Sequence, residues 1–317
     1  MISRRTLLTL GGALVGLAAT GRPTTAANAA RYSVVSTWGF GAAANAAAFA
    51  QLSRGHSLLD AVEQGARRVE ADPSISNHSV GLGGYPDRDG HVTLDAIIMD
   101  DLGHVGAVAA LEDVVHAVSV ARKVMQLTPH TLLVGDGATQ FALQHGFTRE
   151  KLLTPESAAA WREWLKRSHY EPGRNHDTLG ILARNSAGQL AGACTTSGMA
   201  FKLRGRVGDS PQCGAGLFVE AGVGAATSSG VGEEVTRIAG SARVVASMRS
   251  GMSPEAACRE GIQHLLRLRG PALQDEQVGL LALSAAGEAG AFALQPGFTF
   301  AVTDSLGQTR VLPAPHL

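Results

Sequence analysis

The stretch "DTLGILARNSAGQLAGACTT", residues 177 to 196, decides how this chain is read. Two strand-like runs, 179–183 and 190–196, flank "NSAG", and a short Gly-containing connection between such runs is a β-hairpin signal. A turn centred near residue 187 sets Thr178 opposite Thr196. Opposed residues on one face have Cβ atoms ~4.5–5.5 Å apart, so two hydroxyls would meet at the open end of the hairpin. A one-residue slip would send them to opposite faces. Taken singly the residues are ordinary, since Thr is a good strand former and Asp a common turn residue before a strand.

Working outward, strand-like runs occur at 32–37, 91–99, 215–219, 223–227, 278–284, 290–294 and 298–303, several joined by short turns such as "SAAGEAG". Helical spacing begins at 57–70, where Ser57 and Asp60 form a capping box before Leu58, Ala61, Val62, Ala66 and Val69. Further helices fit 112–126, 155–166 (Thr154 as cap, Pro155 in the first turn) and 254–268 (Ser253 as cap, Pro254 likewise). Hairpins covered by helices predict an α+β fold with antiparallel sheet. The polar stretch "LKRSHYEPGRNH", 165–176, is the candidate exposed, cleavable segment.

The 317 residues carry 27 Lys plus Arg against 27 Asp plus Glu, so no global field attracts nucleic acid or an anionic membrane. A small-molecule partner is expected. "SRRTLLTLGGALVGLAAT" places Arg4 and Arg5 before an apolar run, and "AANAA" follows with small residues of A-x-A type. Residues 1–30 therefore read as a twin-arginine export signal, too short and Gly-broken for the ~20 residues of a membrane helix. The expected location is periplasmic or secreted. Cys194, Cys213 and Cys258 are an odd number without C-x-x-C spacing, which indicates neither zinc nor a disulfide framework, and they are expected to be buried thiols.

A Thr can act as a nucleophile activated by its own free α-amino group, whose pKa of ~7.7–8.0 lies near working pH. Internal Thr178 lacks that amine and would gain it only if the Asp177–Thr178 bond were cut. "HDTLG", "CTTSGMAFKLRGRVGDSP", "GAGLFV" and "GVGEE" resemble the glycosylasparaginases among the N-terminal nucleophile hydrolases. "STWGFG", "GLGGYPDRDGHVTLDAIIMD", "TPHTLLVGDGA", "QVGLLAL" and "GFTFAV" extend the resemblance over essentially the whole mature chain.

The resemblance implies a four-layer αββα sandwich with two antiparallel sheets. It also implies self-cleavage into an α chain, 31–177, and a β chain, 178–317, with processed units pairing as an (αβ)2 oligomer and needing no cofactor or metal. Thr178 is then the nucleophile in both reactions, and Thr196 the threonine that hydrogen-bonds and tunes it. Ser229 and Gly230 form the oxyanion hole, Ser229 standing where the family commonly has Thr. Arg206 and Asp209 hold the substrate's α-carboxylate and α-ammonium, and Trp38 lies beside the site. Read without the resemblance, an R-x-x-D pair is usually a surface ion pair and Trp38 a core aromatic. Gly39 departs from a frequent asparagine and Tyr85 from a frequent basic residue, which bears on sugar-side contacts. The expected activity is hydrolysis of N4-(β-N-acetylglucosaminyl)-L-asparagine to L-aspartate and the amino sugar. The runner-up is isoaspartyl peptidase/L-asparaginase activity, against which "TTSGMAFK" argues, and an uncleaved binding protein is the reading from another class.

Overall fold

A computed structural model of the chain describes residues 32–167 and 177–317. The expected export signal and residues 168–176 of the expected cleavable segment lie outside the described residues. The hairpin forms in the anticipated register: β5 (Leu179–Arg184) pairs antiparallel with β6 (Leu190–Thr196), Leu179 facing Thr195 and Arg184 facing Leu190. Asn185 closes the turn, its Oδ1 accepting from the backbone N–H groups of Ala187 (3.0 Å) and Gln189 (3.1 Å). An Asn side chain that mimics a backbone turn in this way fixes the register locally.

Around the hairpin lie β1 (Tyr32–Thr37), β2 (Leu94–Asp100), β3 (Val105–Leu111), β4 (Leu132–Val134), β11 (Thr299–Asp304) and β12 (Thr309–Pro313). They build an eight-stranded sheet in the order β12-β11-β1-β5-β6-β2-β3-β4. A second sheet runs β10-β9-β8-β7 from β7 (Leu217–Glu220), β8 (Gly224–Gly230), β9 (Val278–Ser284) and β10 (Ala289–Ala293). The small sheet is antiparallel throughout. The large one is mixed, because the three-residue edge strand β4 runs parallel to β3, a correction to the purely antiparallel expectation.

Three buried layers separate the elements. Ala44 and Ala48 of α1 (Gly41–Ser53), Ala61, Val62, Ala66 and Val69 of α2 (Leu58–Glu70), α3 (Ala117–Leu127), and Ala138 and Ala142 of α4 (Gly135–Gln144) pack on one face of the large sheet, with Ile98, Ile181 and Ala193. Leu182, Cys194, Leu217, Leu281 and Phe298 fill the space between the sheets. Val244 and Met248 of α7 (Gly240–Arg249) and Ile262 and Leu265 of α8 (Pro254–Arg269) cover the small sheet over Leu280 and Phe292. The result is the helix–sheet–sheet–helix sandwich. Helix caps fall as the sequence implies: Ser57 and Asp60 form a reciprocal capping box, while Thr154 and Ser253 cap α5 (Pro155–Trp164) and α8.

Alternation along β5 then decides which way Thr178 faces. Leu179, Ile181 and Ala183 go to the helix side and Leu182 to the inter-sheet side, so Gly180 and the residue two before it share the inter-sheet direction. A Cβ on Gly180 would lie 2.2 Å from Thr227 Oγ1 of β8. The missing side chain lets the two sheets close at this point and brings the start of β5 to the end of β8.

The cysteines correct one expectation. Cys194 and Cys258 are buried free thiols, but Cys213 is exposed, since it sits in the loop before β7 rather than in a strand or helix interior.

Candidate active site

The close approach of β5 and β8 seats Thr178, buried at 3% exposure, against Ser229. The Thr178 backbone N–H donates to Ser229 Oγ at 3.0 Å, and the Trp38 indole Nε1 donates to the same oxygen at 2.8 Å. Trp38 holds this position with φ of 62°, a left-handed conformation that is costly for a bulky residue, and its ring meets Phe298 edge to face with centroids 4.9 Å apart. Thr37 Oγ1 donates to the Thr178 carbonyl at 2.5 Å and accepts from Gly180 N–H at 2.9 Å, which fastens the start of β5 to the end of β1.

Thr178 Oγ1 lies 3.4 Å from Ser210 Oγ. Thr196, next in the hairpin register, is buried close by, but its hydroxyl turns elsewhere than expected. Thr196 Oγ1 accepts from Gly198 N–H at 2.9 Å and has the carbonyls of Ser79 (3.1 Å) and Asp177 (3.3 Å) as acceptors. With Thr178 joined to Asp177, Thr196 thus addresses the carbonyl of the bond in question rather than the Thr178 hydroxyl. The contact with that hydroxyl anticipated from sequence is replaced by one on its chain neighbour. A hydroxyl has one proton, so Thr196 serves one of the two carbonyls at a time.

Asp209 is buried at 4% exposure, accepts from Ser228 Oγ at 2.6 Å, and lies beside Gly232, where a Cβ would stand 2.5 Å from its Oδ1. Burial pushes its carboxyl above the ordinary range against the Ser228 hydrogen bond. Such a group gains most from a cationic partner. Arg206 does not pair with Asp209 but forks onto Glu233, Nε to Oε1 and Nη2 to Oε2 at 2.8 Å each. The two therefore do not form the mutual ion pair that an R-x-x-D spacing suggests without the resemblance. Burial acts to lower the Arg206 pKa, and the Glu233 bonds outweigh it.

Gly230 has φ of 114°, and a Cβ there would strike Gln277 O at 2.2 Å, so the end of β8 requires glycine. Beyond it the chain enters α6 (Gly232–Ile238), which carries Glu233 and Glu234 in its first turn. The segment "TSSGVGEE" thus runs from a strand end directly into a helix. Tyr85 belongs to an aromatic group, stacked on His78 and tilted on Phe201.

Lys202, fully buried, donates from Nζ to Ser197 O at 2.9 Å under Gly198, where any Cβ would stand 2.5 Å from that nitrogen. Burial lowers its pKa and nearby Asp95 opposes the shift. Lys202 therefore supports the loop that follows Thr196. Thr37, Ser210, Glu233 and Lys202 were not singled out from sequence. They come together through sheet packing, and only the hydroxyl-rich and "GEE" character of their neighbourhoods hinted at them. Among the described residues no cluster of His, Cys, Asp and Glu suits a metal ion.

Burial also pushes the Asp177 carboxyl up to about 6 from 3.8. Its folded pKa is raised, so the uncleaved protein holds this proton more tightly than the unfolded chain does. The stabilisation is complete below about pH 4 and is lost as pH rises through about 6. In an uncleavable Thr178→Ala background, Asp177→Asn should remove a fall in stability of roughly 2–3 kcal/mol between those limits. Thermal melts of the two chains across pH 4 to 7 check it, and parallel curves would count against a partly buried, proton-holding Asp177.

Comparison with known proteins places these residues in a family. The family model described as Asparaginase matches residues 15–312. The chain is 53% identical over 286 residues to an N(4)-(beta-N-acetylglucosaminyl)-L-asparaginase of Elizabethkingia miricola, covering 88% of this chain and 84% of that protein. It is 39% identical over 266 residues to the Rattus norvegicus protein of the same name, covering 73% and 76%. A putative one of Drosophila melanogaster is 36% identical over 277 residues, covering 74% and 70%. The match takes in Trp38, the Asp177–Thr178 bond, Arg206, Asp209 and Ser229 within its bounds, and the chain belongs to the Asparaginase family.

Proposed function

We propose that this protein is an N-terminal threonine amidohydrolase that hydrolyses the side-chain amide of N4-(β-N-acetylglucosaminyl)-L-asparagine, giving L-aspartate and N-acetylglucosaminylamine. The observation that carries this reading is the convergence of Thr178, Thr196 and Ser229 on one bond, Asp177–Thr178, with Thr178 buried and Asp177 partly so.

Activation begins with attack of Thr178 Oγ1 on the Asp177 carbonyl carbon. The C–N bond breaks, the threonine nitrogen takes the proton, and an ester joins the two residues. Water then hydrolyses the ester, leaving Asp177 as a carboxyl terminus and Thr178 with a free amine. Thr196 at 3.3 Å from the Asp177 oxygen suits stabilisation of the charge that develops there. In turnover the freed amine, already beside Ser229 Oγ, accepts the Thr178 hydroxyl proton as Oγ1 attacks the substrate amide. Proton return to the departing nitrogen leaves a β-aspartyl ester, and water releases aspartate. Ser229 and Gly230 stabilise the oxyanion, Asp209 receives the substrate ammonium, Arg206 its α-carboxylate, and Trp38 borders the bound substrate.

The twin-arginine signal in residues 1–30 supports export to the periplasm, and we place the working enzyme there as an oligomer of processed units. Intact mass and turnover test the proposal together. The purified protein should yield two chains split before Thr178 and should cleave glucosaminyl-asparagine faster than β-aspartyl dipeptides or asparagine. Faster dipeptide cleavage would transfer the assignment to isoaspartyl peptidase activity, and an intact, inactive chain would make it a binding protein.

A further inference from the structure

We infer that Glu233 is a positioning residue that fixes the Arg206 guanidinium so that its end edge, Nη1 with Nη2, meets the substrate's α-carboxylate. The inference rests on the proposed substrate clamp. It starts from the donor count of a guanidinium, which has one N–H on Nε and two on each Nη, arranged to offer carboxylates two usable edges. Glu233 occupies the side edge, Nε with Nη2, through two bonds of 2.8 Å. The end edge, Nη1 with the second Nη2 hydrogen, is engaged by no other described residue, so a second carboxylate can dock without displacing Glu233.

The surroundings leave the guanidinium little freedom. It lies on Gly208, where a Cβ would stand 3.1 Å from Nη1 and from Nη2 and 3.2 Å from Cζ, so a side chain there would lift it. Arg206 is 15% exposed and Glu233 43%, which puts the anchor on the outer side and the cation inward. Glu233 stands in the first turn of α6, three residues beyond Gly230, so one short segment carries both the oxyanion donors and the anchor of the clamp. A long Arg side chain gives up rotamer freedom when held, and an anchor present before substrate arrives lowers that cost of binding.

Positioning and competition predict opposite signs. If Glu233 competed with substrate for Arg206, removing it would tighten binding. If it positions the cation, removal weakens binding of ligands with an α-carboxylate and spares those without one. Calorimetric titration of the processed protein with L-aspartate and with its α-amide, isoasparagine, separates the two. In Glu233→Gln and Glu233→Ala the preference for L-aspartate over isoasparagine should fall about 10-fold or more, the scale of a lost charge-assisted bond. KM should rise in parallel with kcat little changed. Glu233→Asp should restore part of the preference, and intact mass should show normal processing.

An unchanged preference, or tighter aspartate binding, would overturn the inference. If the wild-type protein prefers aspartate yet does not turn over glucosaminyl-asparagine, the proposed reaction fails while the Glu233 assignment stands. A wild-type protein indifferent to the α-carboxylate would remove the clamp and the inference with it.

Discussion

Thr178→Ala should abolish both chain cleavage and amide hydrolysis, because the proposed mechanism requires one oxygen twice. The variant should be recovered as a single uncut chain in which turnover falls by about 10⁴-fold or more, the scale of removing a covalent nucleophile. The substitution deletes only Oγ1 and a methyl group. The Thr178 N–H bond to Ser229 and the Thr37 bond to the Thr178 carbonyl use backbone atoms and survive. Its melting temperature should therefore stay near that of uncut protein, which separates lost chemistry from lost fold. Thr178→Ser keeps the oxygen but not the β-branch that restricts χ1, so it should cleave and turn over more slowly without losing either reaction. Mass spectrometry settles the first half, and a Thr178→Ala chain split before residue 178 would refute the nucleophile.

The part of this site legible in the sequence is the part that neighbouring residues determine. The register of β5 and β6 follows from a turn that Asn185 closes on itself, so the adjacency of Thr178 and Thr196 could be read from a twenty-residue window. The direction of the Thr196 hydroxyl could not, because Ser79 and Gly198 orient it and Ser79 approaches from a loop more than a hundred residues away. Glu233 escaped notice for the same reason: its partner Arg206 reaches it only across the junction of β8 and α6.

Missing elements have a compositional cause. In α1, "GAAANAAAFAQLS", alanine lines both the buried and the outer faces, so no amphipathic stripe marks it. In β3, "VGAVAAL", small residues stand on a strand buried on both faces, which erases the alternation that betrays a half-exposed one. Helix α3 begins at Ala117 rather than 112 because Asp113 adopts φ of 61°, which breaks the helical run before it can start.

Ser229→Ala should lower kcat by about 10²–10³, the usual effect of deleting an oxyanion donor, and Trp38 should determine how well the native serine performs. Ser229 Oγ accepts from the Trp38 indole at 2.8 Å and from Thr178 N–H at 3.0 Å. A hydroxyl has two lone pairs and one proton, so with both acceptor directions used its proton is left to point toward the developing oxyanion. Serine lacks the β-branch that would stiffen a threonine at this place. The indole supplies that rigidity from outside. Trp38→Phe removes the donor and keeps an aromatic ring, so it should lower kcat in the Ser229 protein. In a Ser229→Thr background the side chain holds its own rotamer, and the same change should cost less. Residues in contact typically couple by about 0.5–3 kcal/mol, well within the resolution of single-turnover rates on the four proteins. Were Trp38→Phe to cost the same in both backgrounds, the indole would act on the substrate alone and the serine would owe its orientation to the strand end.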